Sequence, residues 1–248
     1  MGFRAPLLMH ASPVCLTAMA SSKQQLTWMK ERAAVLNAAK AIYLDGLVVA
    51  TSGNVSARCL SADGHDLMAV TATSVGYEEM TLDDIVVVDF DGEPILGEAV
   101  PSTESLMHAS IYAARRDVNA VAHTHSVYAS TLAVAGIAIP ALIDEMVIHV
   151  GDSVQMADYA FPGTEDLATQ VVEALGERNA VLLRNHGMVG VGHTMTEALH
   201  VCQLVERMAH IQVAANAIGG AAPLPREIVT IEMELFRMRQ QSKLEEQR

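Results

Sequence analysis

Helix-like and strand-like segments alternate along most of this chain, and that alternation restricts its fold more than any other feature. The apolar spacing of residues 24–45 predicts a helix, whereas the short apolar runs 67–71 and 85–90 predict strands. Asp91-Gly92 follows the second run and predicts a hairpin turn. Alternating segments of these two kinds favour a sheet covered by helices.

The later part of the chain continues the same alternation. Thr194 and Glu197 form a capping-box pattern at the start of the longest helical segment. No linker, repeat or low-complexity block divides the chain, so we predict one α/β domain with a central, mainly antiparallel sheet flanked by α-helices. Strands are predicted over 119–123 and 179–183, and helices over 101–115, 126–135, 164–175, 194–218 and 227–248.

The two ends of the chain are expected to differ from this domain. We predict a disordered N-terminal extension over 1–22, the α/β domain over 23–225, and a C-terminal helix or tail over 226–248. Prolines interrupt the mildly apolar N-terminal stretch, which disfavours a secretory signal peptide.

Charge and cysteine content exclude several kinds of partner. The 248 residues carry a formal net charge of −13, which argues against nucleic acid or an anionic membrane as a partner. There is no run of about 18 apolar residues, so no transmembrane helix is predicted. Three scattered cysteines are typical of free thiols in a reducing compartment, and we therefore expect a cytoplasmic protein.

Three histidines give the strongest chemical signal. His123 and His125 flank Thr124 at the end of a predicted strand, where alternate side chains share one face. His186 follows another predicted strand, and three neutral imidazoles with an open position are typical of a catalytic zinc site. An HxH pair alone is weak, since many such pairs bind no metal. His108 is interpreted as a packing or surface residue.

Three segments rich in hydroxyl groups or glycine lie at junctions between predicted elements: 51–56, 71–74 and 101–104. Free backbone N–H groups, Ser/Thr hydroxyls and an Asn amide can together hold a phosphate without lysine. For any one segment, a turn or a helix cap is the simpler interpretation. Glu104, in the third segment, has a comparable alternative as a favourable charge at a helix N-terminus.

The order of these motifs resembles the class II aldolase/adducin-head family, and within it the group of fuculose-1-phosphate aldolases and ribulose-5-phosphate 4-epimerases. The resemblance covers residues 25–218 and rests on TSGNVS, TATS, PSTE, HTH and NHG, in that order. It implies a central antiparallel sheet with helices on both sides. It also implies a homotetramer with fourfold symmetry and active sites at the subunit interfaces.

The resemblance assigns roles to individual residues. It implies that Glu104 is a fourth metal ligand at rest and a proton-transfer base when substrate displaces it. The implied zinc ligands are His123, His125 and His186. The implied phosphate-binding residues are Asn54, Thr73, Ser74, Ser102 and Thr103.

The implied activity is a zinc-dependent aldolase that acts on a small sugar phosphate. The enzyme would reversibly cleave a ketose 1-phosphate, similar to fuculose 1-phosphate or a deoxyribulose 1-phosphate, into dihydroxyacetone phosphate and an aldehyde. One Zn²⁺ per chain is expected, with Mn²⁺ or Co²⁺ as substitutes. The metal would act as a Lewis acid that polarises the ketose carbonyl and stabilises the enediolate.

The sequence departs from the family pattern at its tyrosine acid. Aldolases of this group carry a tyrosine shortly after an Ile-Pro segment, and here Asp144 stands at the matching position. Either Asp144 or Glu145 replaces that acid, or the substrate is different. A carboxyl group could serve if apolar surroundings raised its pKa. Alternatively, both residues form a surface or subunit-interface pair.

Other functions on the same fold stay open. A sugar-phosphate 4-epimerase, a dehydratase or a decarboxylase can use a related metal-stabilised carbanion. The epimerases use a tyrosine near the C-terminus, and this chain has none after Tyr159. A non-catalytic, adducin-like binding module is the alternative of a different class. The three intact histidines argue against it.

Overall fold

The computed structural model describes residues 27–246, and the predicted extension 1–22 lies outside them. Strands separate most of the helices within this range, and a 3₁₀ turn, Leu82–Asp84, precedes the third strand. The helices are α1 Met29–Leu44, α2 Ser105–Ala114, α3 Val127–Ala135, α4 Asp144–His149, α5 Glu165–Leu175, α6 Met195–Ala217 and α7 Arg226–Glu246.

Nine strands in the described residues form one sheet, in the order β4-β3-β2-β1-β5-β9-β8-β7-β6. All neighbouring pairs are antiparallel except β7 and β8, which are parallel. The strands are β1 Asn54–Leu60, β2 Asp66–Thr71, β3 Ile85–Asp89, β4 Pro94–Leu96, β5 Ala120–Thr124, β6 Ile139–Pro140, β7 Ser153–Ala157, β8 Ala180–Leu183 and β9 Gly187–Gly192.

The two faces of the sheet bury separate apolar cores. Leu67 and Ala69 of β2 face one core, and Met68 and Val70 face the other, as the alternation of a strand requires. Helices α1, α3 and α6 cover the first face, and α2 and α5 cover the second. The predicted mainly antiparallel sheet with helices on both sides is therefore confirmed.

The last helix rests on the edge of this assembly. Helix α7 packs against α4 through a small apolar cluster of Ala141, Val147, Met233 and Phe236. No helix in the described range is both long enough and apolar enough to cross a membrane.

Most predicted elements are present within a few residues of their expected bounds, but β1, β6, β7, β9 and α4 were not predicted. Strand β9 was missed because it is half glycine. Gly190 is needed there, since a Cβ atom would lie 2.6 Å from the Cys202 sulfur of α6. At the start of α6, Thr194 accepts from the Glu197 N–H as predicted. The Glu197 carboxylate, however, accepts from the His193 N–H rather than from Thr194.

Candidate metal centre

Three neighbouring strands position the histidines. Strand β5 lies between β1 and β9, with His123 opposite Asn54 on one side and Val189 on the other. His125 follows β5 directly, and His186 lies in the tight turn between β8 and β9. The strand register therefore brings together histidines from two distant parts of the sequence.

Two glycines let the backbone approach these histidines closely. Gly53 has a positive φ of 76°, and a Cβ atom there would lie 2.6 Å from the His123 carbonyl oxygen. A Cβ atom on Gly187 would collide with the Thr124 carbonyl oxygen and would crowd the His125 ring. Both the TSGNVS and the NHG motifs thus contain a glycine that this packing requires.

The three imidazole rings surround a common point. The ring centroids of His123, His125 and His186 lie 4.7–4.8 Å from one another, in edge-to-face arrangements. One nitrogen from each ring can be chosen so that all three lie within 4.8 Å of one another. These three residues form the group in the described chain that could hold a metal ion.

The surroundings of His123 prepare it as a ligand. Its side chain is fully buried, and Nδ1 lies 2.9 Å from the Met188 carbonyl oxygen, to which it donates. This bond leaves the Nε2 lone pair available, as in metal-binding histidines that are fixed by a backbone carbonyl. Burial lowers the pKa of His123 to about 4 and also lowers the pKa of His125, so both are neutral at pH 7.

Glu104 completes the cluster from the N-terminal end of α2. Its Oε2 lies 3.3 Å from His123 Nε2, and its Oε1 lies 3.6 Å from His186 Nε2. Burial alone would raise the pKa of this carboxyl group. The imidazoles of His123 and His186 and a hydrogen bond from Asn54 outweigh that effect, and the pKa is lowered. Glu104 is therefore ionised at neutral pH.

This donor set fits a divalent metal. Ligand atoms bound at about 2.0 Å in a tetrahedral site lie about 3.3 Å apart, close to the distances from Glu104 to the imidazoles. Glu104 Oε1 is buried and has no hydrogen-bond partner among the described residues, which suits an atom that faces an ion. Histidine nitrogen and carboxylate oxygen are both zinc ligands.

The hydroxyl-rich segments also meet at this end of the sheet. An isolated bridge joins Ala72 to Pro101. It is flanked by backbone hydrogen bonds from Thr73 N–H to the Val100 carbonyl (2.9 Å) and from Ser102 N–H to the Thr71 carbonyl (3.0 Å). The TATS and PSTE segments therefore lie side by side, and Glu104 is the last residue of PSTE.

The five predicted phosphate-binding residues differ in what they offer. The Asn54 amide is buried and donates to Glu104 Oε2 at 2.7 Å. Ser102 is also buried, and its hydroxyl accepts from the Glu104 N–H at 3.3 Å. Ser74 and Thr103 are exposed, Thr73 is half-buried, and Ser74 has a positive φ of 62°. Hydroxyl groups that can reach solvent therefore lie beside the buried carboxylate.

Asp144 and Glu145 make their contacts elsewhere. Both lie in the first turn of α4, where Glu145 forms an exposed ion pair with Arg207 of α6 at 3.0 Å. Asp144 is exposed and lies beside Glu232 of α7, whose carboxyl pKa is raised by partial desolvation and by this neighbouring acid. Neither residue contacts the histidine cluster within the same chain.

One polar cluster near this site was not anticipated as functional. Ser56, His108 and Tyr112 are fully buried and hydrogen-bonded to one another. The spacing of Glu104, His108 and Tyr112, each four residues apart in a helical segment, could have indicated that they share one helix face.

Comparison with known proteins agrees with this geometry. Residues 33–213 match the family described as class II aldolase and adducin N-terminal domain. The chain is 35% identical to a 5-deoxy-D-ribulose 1-phosphate aldolase of Bacillus thuringiensis, over 80% of this chain and 91% of the relative. It is 34% identical to L-fuculose phosphate aldolase of Escherichia coli, over 77% of this chain and 87% of the relative.

A solved structure of L-fuculose 1-phosphate aldolase superposes with a TM-score of 0.79 at 31% identity, covering 86% of this chain and 99% of that one. The named aldolases favour the enzyme over the non-catalytic alternative. The chain belongs to the class II aldolase and adducin N-terminal domain family, and its relatives within that family identify it as an aldehyde-lyase.

Proposed function

We propose that this protein is a zinc-dependent aldolase that reversibly cleaves a ketose 1-phosphate into dihydroxyacetone phosphate and an aldehyde. The observation that carries the proposal is the convergence of three imidazoles and one ionised carboxylate on a single point, beside two adjacent hydroxyl-rich segments. Relatives named for 5-deoxyribulose 1-phosphate and fuculose phosphate support this substrate class.

In this proposal His123, His125 and His186 hold the zinc ion, with Glu104 as a further ligand at rest. When bound, the ion would supply Lewis acidity that stabilises the negative charge developing as the C3–C4 bond breaks. Mn²⁺ and Co²⁺ are the proposed substitutes, because imidazole nitrogen and carboxylate oxygen also bind these ions.

Glu104 is proposed as the base that exchanges a proton with the substrate carbon. In the condensation direction it removes a proton from C3 of dihydroxyacetone phosphate, and in the cleavage direction it returns that proton. Its lowered pKa keeps it in the basic, ionised form at neutral pH. Its burial beside the imidazoles excludes water from the proton it carries.

We propose that the phosphate of the substrate binds to the TATS and PSTE segments together with Asn54. The hydroxyl groups of Thr73, Ser74, Ser102 and Thr103 are hydrogen-bond donors to an anion, and no lysine is required. A neutral donor set also suits a chain with a net charge of −13, because the anion is held by local dipoles.

Asp144 is the proposed acid that protonates the aldehyde oxygen. Glu145 is the weaker candidate, since its carboxylate is already engaged in an ion pair with Arg207. Asp144 lies beside Glu232, whose carboxyl pKa is raised by partial desolvation and by this neighbouring acid. Asp144→Asn should lower kcat for cleavage, whereas Glu145→Gln should leave it nearly unchanged; the reverse order would assign the role to Glu145.

We also propose a cytoplasmic homotetramer in which another subunit borders the site. Exposed apolar side chains lie next to the site in the chain: Leu44 and Val49 flank Leu47, whose carbonyl oxygen accepts from the His125 N–H. Val127, two residues after His125, is also exposed. Exposed apolar side chains grouped in this way are typical of subunit interfaces. Light scattering with size-exclusion chromatography should give four chains per particle.

The proposed function can be tested by an aldol-condensation screen. Dihydroxyacetone phosphate is mixed with acetaldehyde, glycolaldehyde or lactaldehyde, and each product is identified by mass, with and without a chelator. We expect at least one ketose 1-phosphate, its loss on chelation, and its recovery when Zn²⁺ is restored.

His65→Ala is a matched control, because this exposed loop histidine lies outside the proposed site. It should behave like the unmodified protein. An absence of product with every aldehyde in the zinc-loaded protein would reject the aldolase, and condensation that survives complete metal removal would reject the role of zinc.

A further inference from the structure

A buried chain of polar side chains lies behind the metal centre. Ser56 Oγ is 2.7 Å from His108 Nδ1 and 2.8 Å from the Tyr112 hydroxyl oxygen. All three side chains are fully buried. Burying polar side chains is costly unless each polar atom is hydrogen-bonded. The partners of every polar atom in this group can therefore be checked one by one.

The hydrogen-bonded side chains of Ser56, His108 and Tyr112 lie beside the contact between Asn54 and Glu104. Asn54 and Ser56 are two residues apart on β1 and so share one face of that strand. Glu104 and His108 are four residues apart at the start of α2 and so share one face of that helix. Asn54 contacts Glu104 and Ser56 contacts His108, as two successive rungs between the same strand and helix.

The hydrogen atoms in this chain can be assigned by satisfying the largest number of donors. Tyr112 O–H donates to Ser56, and Ser56 O–H then donates to His108 Nδ1. In the reverse direction the Tyr112 O–H would be left without an acceptor in a buried site. The first arrangement places the remaining ring proton of His108 on Nε2.

The Nε2 atom of His108 is the unsatisfied end of the chain. It is buried and has no hydrogen-bond partner among the described residues. Glu104 Oε1 and Asn54 Oδ1 are buried acceptors in the same condition. Glu104 is near enough that its charge raises the pKa of His108, although burial is the larger effect and lowers that pKa to about 3. A neutral N–H donor therefore lies close to an ionised acceptor with a free oxygen.

We propose that His108 is a positioning residue for the reaction. When substrate displaces the Glu104 carboxylate from the metal, the Nε2–H group of His108 donates a hydrogen bond to that carboxylate. Ser56 and Tyr112 fix the ring so that the donor is on Nε2. This inference rests on the proposed function, because it gives Glu104 a proton-transfer role. It assigns a role to a histidine that does not itself bind the metal.

Two substitutions test the two ring nitrogens of His108 separately. His108→Gln retains an N–H donor near the Nε2 position, and His108→Asn retains a polar group near the Nδ1 position that can reach Ser56. If His108 positions Glu104, the Asn variant should lose about 10-fold in kcat with KM changed by less than about 3-fold, while the Gln variant stays within about 3-fold of the original kcat. Equal kcat values in the two folded variants would overturn the inference.

A measurement independent of turnover reads the hydrogen-bond direction. The zinc-loaded protein is labelled with ¹⁵N-histidine, and the His108 signals are assigned by their loss in His108→Gln. We expect Nδ1 to be unprotonated and Nε2 to be protonated. Tyr112→Phe removes the first donor of the chain and should weaken this preference. A ring protonated on Nδ1 would overturn the inference even in an active enzyme.

The outcomes separate this inference from the proposed function. An active aldolase with the Nδ1–H tautomer rejects only the role of His108. A zinc-loaded protein that is inactive on every aldehyde rejects the proposed function and this role together, whichever tautomer is found.

Discussion

Asn54 and His123 lie directly opposite each other across β1 and β5, and the Asn54 amide donates a 2.7 Å hydrogen bond to the carboxylate that lies 3.3 Å from His123. The strand pairing thus fixes both an imidazole of the candidate metal centre and the amide that contacts Glu104. A change at Asn54 should therefore be felt at Glu104 even if all three histidines remain.

Asn54→Ala should raise the pKa of Glu104. The Asn54 amide stabilises the ionised carboxylate, so its removal favours the protonated form. The acid limb of the pH profile of kcat/KM should move to higher pH, and kcat/KM at pH 7 should fall by about 10-fold or more. Steady-state kinetics between pH 5 and pH 8 measure both effects.

Asn119→Ala is the matched control for this substitution. The side-chain amide of Asn119 also donates a partly buried hydrogen bond, to the His193 carbonyl at 3.2 Å, but at the opposite end of β5. The pH profile of kcat/KM for the Asn119→Ala enzyme should coincide with that of the unmodified enzyme. An Asn54→Ala profile that also coincides would show that the amide does not tune Glu104.

Glu104→Gln should remove the base while keeping the size of the side chain. Turnover should fall by about 10²-fold or more, as for the loss of a general base. The three histidines remain, so metal should still bind, although less tightly. Single-turnover kinetics and metal analysis of the same preparation measure the two properties separately. Turnover close to that of the unmodified enzyme would remove Glu104 from the chemistry.

Gly53→Ala should destabilise the protein more than an alanine at another glycine with positive φ. At Gly53 the new Cβ meets both the strained backbone and the His123 carbonyl oxygen at 2.6 Å, whereas at Gly92 (φ 88°) it meets no atom within 4 Å. Gly92→Ala should cost about 1 kcal/mol from the backbone alone. Urea denaturation should show a larger loss for Gly53→Ala, together with reduced metal affinity; equal losses would contradict this packing.

The metal-free protein should become less stable as the pH falls below about 6.5. Burial lowers the pKa of His123 to about 4 and that of His108 to about 3, while both rise to about 6.5 on unfolding. The unfolded chain therefore binds more protons in this range, and the unfolding free energy falls with decreasing pH, by up to about 1.4 kcal/mol per pH unit for each histidine.

Glu104 adds a loss of the same sign at lower pH, because its folded pKa is also depressed. Urea denaturation of the metal-free protein at pH 7, 6 and 5 measures the slope. An unfolding free energy that does not change between pH 6.5 and pH 5 would contradict the neutral, buried state of these imidazoles.

Local signals in the sequence were sufficient to predict much of the fold and the three histidines that converge in it. Periodicity and glycine stops located most helices and the apolar strands, and the HTH and NHG motifs marked the three histidines. Strand β1 was not predicted because its residues Asn54–Leu60 are mostly small or polar and read as a loop. Strand β9 was missed because its glycines, required by α6, remove the usual strand signal.

The sequence alone does not predict which distant strands pair with each other in the sheet. Which strand lies beside β5 decides that Asn54 reaches Glu104 and that Ser56 reaches His108, and no local pattern encodes that choice. For the same reason His108 was interpreted as a packing or surface residue. Its fully buried position beside Ser56 became evident only from the packing of α2 against β1.

Metal content measured together with turnover tests the central claim most directly. Freshly purified protein should contain about one zinc ion per chain by inductively coupled plasma mass spectrometry. His125→Ala should lose both the metal and aldol cleavage while its circular dichroism spectrum is retained. If zinc-free protein, verified by the same method, cleaved a ketose 1-phosphate at the rate of the zinc-loaded enzyme, the proposed role of the three imidazoles and Glu104 would be contradicted.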